Sequence, residues 1–160
     1  PLPEAQLDRF LFKLHMGYPS AEQEQAVLAR HDAGMDPHDL ATLGVTAVAG
    51  RQDLEAARKE VAAIPVEARV QAYIVAIARA TRESPSLELG VSPRGAAMLL
   101  HASKAWAWLA GKQYVTPDEI KAVAKPTLRH RVELRPEVEL EGVTADGVLD
   151  GVLAAVPVPR

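Results

Sequence analysis

Apolar residues along this chain recur mostly at spacings of three and four, which predicts helices that each bury one stripe, with punctuation marking their ends. Ser20 and Gln23 form a capping box ahead of a helix that carries Ala26, Val27 and Arg30 and is ended by Gly34. A second helix spans about residues 51–63, with Leu54, Ala57, Val61 and Ile64 on its apolar face. Pro65 and Val66 restart the chain into a third helix, which runs to about Thr81 with Val70, Tyr73, Ile74 and Ile77 as its stripe. A fourth, from Pro93 to about Ala110, presents Leu99, Ala102, Trp106 and Leu109 and stops at Gly111; this assigns Trp106 to the core and points Trp108 elsewhere. Thr116-Pro117-Asp118-Glu119 combines an N-cap, a first-position proline and a capping-box glutamate, opening a fifth helix that turns Ile120 and Val123 inward and ends before Pro126. Val143 to Val156 reads as a last short helix, closed by Pro157.

Two stretches depart from that pattern. Phe10-Leu11-Phe12-Lys13-Leu14-His15-Met16 alternates with a period of two, so it reads as a buried strand, ended by Gly17, Tyr18 and Pro19. Residues 35–50 hold Pro37, Gly44 and Gly50 with little periodicity and read as a loop or linker in which Leu40, Leu43 and Val45 dock onto a neighbouring surface. The resulting fold class is mainly α, a helical bundle preceded by one strand.

Composition narrows the function classes. A hydrophobic content of 48% over 160 residues supports a sizeable core, and the low aromatic content of 4% leaves packing to Ala, Val and Leu. The formal net charge of −3 argues against a dedicated nucleic-acid binder. The absence of cysteine excludes disulfides and thiolate zinc sites. No apolar run reaches the roughly 18 residues that span a bilayer, so no membrane partner is expected. His15, His31, His38, His101 and His130 have no mutual spacing suited to a metal, and Ser84 and Ser86 lack a base, so neither a metal site nor nucleophilic catalysis has a case.

The candidate chemistry rests on two arginines. Ser92 is a good N-cap and Pro93 suits the first helical position, which places Arg94 in the first turn, beside unpaired N–H groups and the positive end of the helix dipole. Such a turn attracts anions, phosphate above all; a solvated arginine at an ordinary helix start is the plain alternative. Arg9 lies directly before the alternating run, at the predicted strand entrance. Arg69, Arg79 and Arg82, at a helix end or on a polar face, read as solvated charges. Arg129-His130-Arg131 forms a basic cluster that either contacts another part of the protein or is a surface turn.

Pro1-Leu2-Pro3-Glu4-Ala5-Gln6-Leu7-Asp8-Arg9-Phe10, the run after it, the Gly17-Tyr18-Pro19 exit and Ser92-Pro93-Arg94-Gly95 together resemble the MoxR family of AAA+ ATPases, over nearly the whole chain. The resemblance implies that residues 1–19 are the end of the nucleotide-binding core and residues 20–160 the helical lid, with 35–50 as loop or linker. It implies that Arg9 is the arginine finger, acting on the neighbouring subunit's nucleotide, and that Arg94 is the sensor 2 arginine, acting on its own. Planar guanidinium groups suit both tasks because they bind phosphoryl oxygens bidentately where phosphoryl transfer builds up charge. In the family Leu-Arg-His-Arg, here Leu128 to Arg131, recurs after the last lid helix, and the cluster is then placed to meet the core or a neighbouring subunit.

The chain contains no G-x-x-x-x-G-K-[ST] phosphate loop. It is therefore expected to be the C-terminal piece of a longer cytoplasmic protein and to hydrolyse nothing alone. What the family implies for the intact protein is a ring of identical subunits, a hexamer, that binds ATP with Mg2+ and acts as a chaperone in maturing or activating partner complexes. Other readings are the lid of a magnesium-chelatase or helicase-loader branch, or a helical adaptor or regulatory domain. A groove-reading helix would need basic and amide residues, yet beyond Arg94 the fourth helix offers only Lys104 and His101.

Overall fold

Four helix starts among the described residues coincide with a Ser or Thr side chain that satisfies an orphan N–H group. In the computed structural model, which describes residues 4–40 and 43–159, the helices are α1 (Glu4–Leu7), α2 (Ala21–Asp32), α3 (Arg51–Ala63), α4 (Ala68–Glu83), α5 (Pro93–Leu109), α6 (Pro117–Leu128), α7 (Pro136–Leu140) and α8 (Ala145–Ala155). Both expected capping boxes are present, Ser20 with Gln23 on α2 and Thr116 with Glu119 on α6. Ser92 caps α5 through the Gly95 N–H, and Thr144 caps α8 through the Gly147 N–H. Gly34 and Gly111, which follow α2 and α5, adopt φ values of 81° and 69°, the left-handed conformation in which a side chain would be strained.

The chain divides into two compact units, one made of residues 1–14 and 58–160 and the other of residues 15–57. The larger unit holds the core. Tyr73, Ile74 and Ile77 of α4, Leu99 and Ala102 of α5, Ile120, Val123 and Leu128 of α6, and Leu149 of α8 are buried together. The most extensive contact is between α5 and α6, where the buried Ala102, Ser103, Ala107 and Ala124 let the two backbones approach closely. The Ser103 hydroxyl is satisfied by the Leu99 carbonyl at 2.8 Å, so burying it leaves no orphan donor. The smaller unit contains α2, the loop that follows it and the first part of α3, and α2 has no buried side chain. No single helix among the described residues is long and apolar enough to cross a membrane.

Four expectations are corrected by the fold. Residues 10–16 form no strand, and Phe10, Leu11, Phe12, Leu14 and Met16 are exposed. A period of two permits an extended backbone, but a strand also needs a partner; this segment has one anchor of that kind, the Lys13 N–H on the Pro126 carbonyl at 2.9 Å. The two strands that do form are β1 (Leu87–Leu89) and β2 (Glu133–Leu134), an antiparallel pair with Leu87 opposite Leu134. Helix α6 runs through Pro126 to Leu128. The proline falls in the last turn, and the Thr127 hydroxyl donates to the Val123 carbonyl at 2.6 Å, supplementing a ladder the ring disturbs.

The inward face of α5 is Gly95, Leu99, Ala102, Ser103 and Ala107, so Trp106 is 48% exposed and Leu109 lies outside. Trp108 instead packs against the core and donates its indole N–H to Glu60 at 2.8 Å. Leu54, Leu40, Leu43 and Val45, expected to face inward or to dock, are exposed.

Candidate functional site

Each residue of Gly90-Val91-Ser92-Pro93-Arg94-Gly95 has a distinct local task. A Cβ at residue 90 would lie 2.6 Å from the backbone N and Cα of Arg82, so only glycine lets the chain pass that close to α4. Val91, fully buried, donates its N–H to the Thr81 hydroxyl at 3.0 Å and accepts from Arg82 Nε at 2.7 Å. These contacts fix the approach to α5. Ser92 then accepts from the Gly95 N–H at 3.0 Å, and Pro93 occupies the first turn, where its missing N–H costs nothing. Gly95 is buried, with a would-be Cβ 2.8 Å from Val91 Cγ1 and 2.9 Å from Arg131 Cδ. Arg94 is exposed, as is Pro93, and its guanidinium is unpaired among the described residues.

Arg9 does not stand at a strand entrance. It follows α1 in a turn closed by hydrogen bonds from the Arg9 N–H to the Gln6 carbonyl and from the Phe10 N–H to the Leu7 carbonyl, both 3.1 Å. Its side chain is exposed and likewise has no ion pair among the described residues. Both arginines thus lie on accessible turns, Arg94 in the helical first turn expected for it and Arg9 after a short helix rather than at a strand entrance. What joins those turns lay elsewhere.

The joining residue is Arg131. It is 4% exposed, and its Nε donates to Asp8 Oδ1 at 3.0 Å. Its two terminal nitrogens reach the carbonyls of Asp8 at 2.9 Å, Leu11 at 3.2 Å, Phe10 and Thr127. The Asp8 carboxylate in turn accepts from the Ser92 hydroxyl, with both oxygens at 3.3 Å. Asp8 therefore sits at the positive end of α5, and Arg131 at the negative end of α6, where each charge is favoured by the helix it meets. Orphan carbonyls at the end of α6 are satisfied in the same way, Pro126 by the Lys13 N–H and Thr127 by Arg131. Arg129 adds a hydrogen bond to the Lys13 carbonyl at 3.2 Å and a 2.9 Å ion pair with Asp146. The basic cluster is thus no surface turn; it holds residues 8–13 against the ends of α5 and α6.

Burial lowers the Arg131 pKa, while the hydrogen bond and charge of Asp8 raise it again; the nearby charge of Arg94 acts with burial. The guanidinium groups of Arg131 and Arg94 are thus near enough to repel, and the Asp8 carboxylate offsets the charge of Arg131. His130 Nε2 lies 2.9 Å from the Phe10 carbonyl and 2.8 Å from Arg131 Nη1, and its buried Nδ1 has no hydrogen-bond partner among the described residues. Burial, reinforced by the charges of Arg131 and Lys13, holds the imidazole below its usual 6.5. Among the described residues no group of three or more His, Asp or Glu side chains is placed to hold a metal ion.

Asp8 and Arg131 carried no sequence signal of their role. A carboxylate before an arginine and a basic triplet after a helix are both common on solvated surfaces. The resemblance noted for Leu128 to Arg131 implied at most a contact with the core or a neighbouring subunit and did not point to Asp8.

Residues 79–152 match the family described as AAA lid domain. The chain is 43% identical over 99% of its length to the uncharacterized protein YeaC of Bacillus subtilis, and 32% identical over its full length to Chaperone MoxR1 of Mycobacterium tuberculosis. Protein MoxR of Methylorubrum extorquens is 32% identical over 99% of the chain. A crystal structure from Cytophaga hutchinsonii, described as a "putative ATPase", superposes with a TM-score of 0.85 at 30% identity, covering all of this chain and 50% of that one. The chain spans about half the length of the three relatives, 48%, 43% and 50% in the order given.

Proposed function

We propose that this chain, which resembles the MoxR family of AAA+ proteins over its length and matches the AAA lid domain over residues 79–152, couples nucleotide state to movement in an ATP-driven remodelling protein. In this reading residues 1–19 close the nucleotide-binding core and residues 20–160 form the lid. The intact protein assembles as a ring of identical subunits, a hexamer, and acts as a chaperone on partner complexes.

The observation that carries the reading is the state of Arg94. Its guanidinium is exposed and unpaired in the first turn of α5, a turn with no acidic residue, at the helix end that disfavours a cation, with buried Arg131 close by. An anionic phosphoryl group relieves that arrangement, so the residues fit such a ligand. Bound ATP supplies the γ-phosphoryl group as electrophile, with Mg2+ as its companion cation. Arg94 binds the oxygens of its own subunit's nucleotide and so favours lid positions in which it can reach them. Arg9, on its exposed turn, offers its fork to the neighbouring subunit's nucleotide as charge develops in transfer.

A mixing experiment on the full-length protein tests the division of labour. Arg9→Ala subunits keep an intact phosphate loop, and subunits inactivated in the phosphate loop keep an intact finger. Each alone is predicted to be inactive, and mixtures to regain hydrolysis at the interfaces that combine one good half from each. Mixtures that regain none contradict the role of Arg9 in trans.

A further inference from the structure

We propose that Arg131 is a positioning residue that ties the turn bearing Arg9 to the first turn of the helix bearing Arg94, so that the nucleotide-sensing helix sets the aim of the finger offered to the next subunit. This rests on the roles proposed above for the two arginines. The tie has two ends. On the finger side, Arg131 grips the carbonyls immediately before and after Arg9, those of Asp8 and Phe10, and also that of Leu11. On the sensor side, its Cδ runs beneath Gly95, where a Cβ would lie 2.9 Å away, and its partner Asp8 accepts from Ser92, the cap of α5. The Arg131 side chain is 1% exposed, so a tether made by it is not diluted by competing water.

A plain reading of the same contacts is an ion pair that only holds residues 8–13 in place. The two differ in direction. Positioning of the finger matters only in the subunit that donates Arg9, because the turn bearing Arg94 has further anchors besides Arg131 in the Ser92 cap, Pro93 and the contacts of Val91 with Thr81 and Arg82. A misplacement on the order of 1 Å at a reacting group can cost about a hundredfold in rate.

The test places Arg131→Gln in one partner at a time of the full-length mixture described above. In the finger-donating, phosphate-loop-inactive subunit it is predicted to cut the regained hydrolysis at least tenfold. In the Arg9→Ala subunit, which supplies the phosphate loop and Arg94, it is predicted to change the regained hydrolysis less than threefold. Asp8→Asn, which preserves shape and removes the charge, is run in parallel and is predicted to show the same asymmetry; it decides the question if the Arg131→Gln subunit does not fold or assemble. Undiminished hydrolysis with the variant in the donor, or equal losses in both placements, overturns the inference while leaving the trans role of Arg9 intact. An unmodified mixture that regains nothing overturns both.

Discussion

Asp8 and Arg131, 123 residues apart in sequence, meet in a 3.0 Å ion pair in which the arginine side chain is 1% exposed and the carboxylate 24% exposed. A charge this deeply buried is costly to leave without its partner. Asp8→Ala should therefore lower the stability of the chain by about 2–3 kcal/mol, toward the lower side of what breaking buried pairs costs because the carboxylate is partly wet. Glu83→Ala, which breaks the exposed Arg79–Glu83 pair, should change it by less than about 0.5 kcal/mol. Urea unfolding of both variants checks the contrast, and equal effects would mean that the pair clamps nothing.

His130 makes that junction sensitive to pH. Its folded-state pKa is below the 6.5 it has when unfolded, so the unfolded chain takes up the proton first as pH falls. Stability contributed by the neutral imidazole is present above 6.5 and is lost as pH drops below it. The melting temperature should decline between pH of about 7.5 and 5.5, and the decline should be shallower in His130→Gln. A separate loss belongs to Glu119. Burial acts to raise its carboxyl, but hydrogen bonds from Lys112 and Thr116 outweigh this and hold it below 4.5, so its contribution disappears only as pH falls below that value.

Two glycines should respond to alanine in opposite directions. Gly90→Ala places a methyl 2.6 Å from the Arg82 backbone and should cost about 1–3 kcal/mol or more, because backbone cannot step aside as a side-chain tip can. Gly151 lies inside α8 with nothing within 4 Å of a would-be Cβ, so Gly151→Ala should stabilise by about 0.5–1 kcal/mol. Thermal melts of both decide it, and a destabilising Gly151→Ala would contradict the packing of α8.

The tryptophans should separate as sharply. Trp106→Phe alters an exposed side chain and should leave stability within about 0.5 kcal/mol. Trp108→Ala removes a ring packed on the core and its bond to Glu60, and should cost about 2–3 kcal/mol. Denaturant midpoints of the two variants give the comparison.

Helix starts were legible because a cap is a local device. Ser20, Ser92 and Thr116 satisfy N–H groups within three residues of themselves, and sequence adjacency carries that information. The α5 stripe was misjudged because positions 106 and 107 are adjacent on the helix, and the close approach of α6 selected the small Ala107 over the large Trp106. Alternation in residues 10–16 describes a backbone that can extend, while pairing is decided by distant segments. Arg131 was the largest omission in the site. Its burial depends on carbonyls contributed by residues 8, 10 and 11, and nothing near residue 131 announces them. Arg9 and Arg94 were singled out by family resemblance and, for Arg94, a local cap, whereas the contacts that run between their turns through Asp8 and Arg131 are tertiary.

Steady-state hydrolysis and nucleotide affinity of Arg94→Ala in the full-length protein, measured on the same preparation, test the proposed sensing role of Arg94 most directly. That role predicts that kcat falls by at least tenfold, on the order of 1.4 kcal/mol of transition-state stabilisation, while the Kd for nucleotide changes by less than about fivefold, with Arg94→Lys recovering little because it lacks the fork. An unchanged kcat in Arg94→Ala would contradict it.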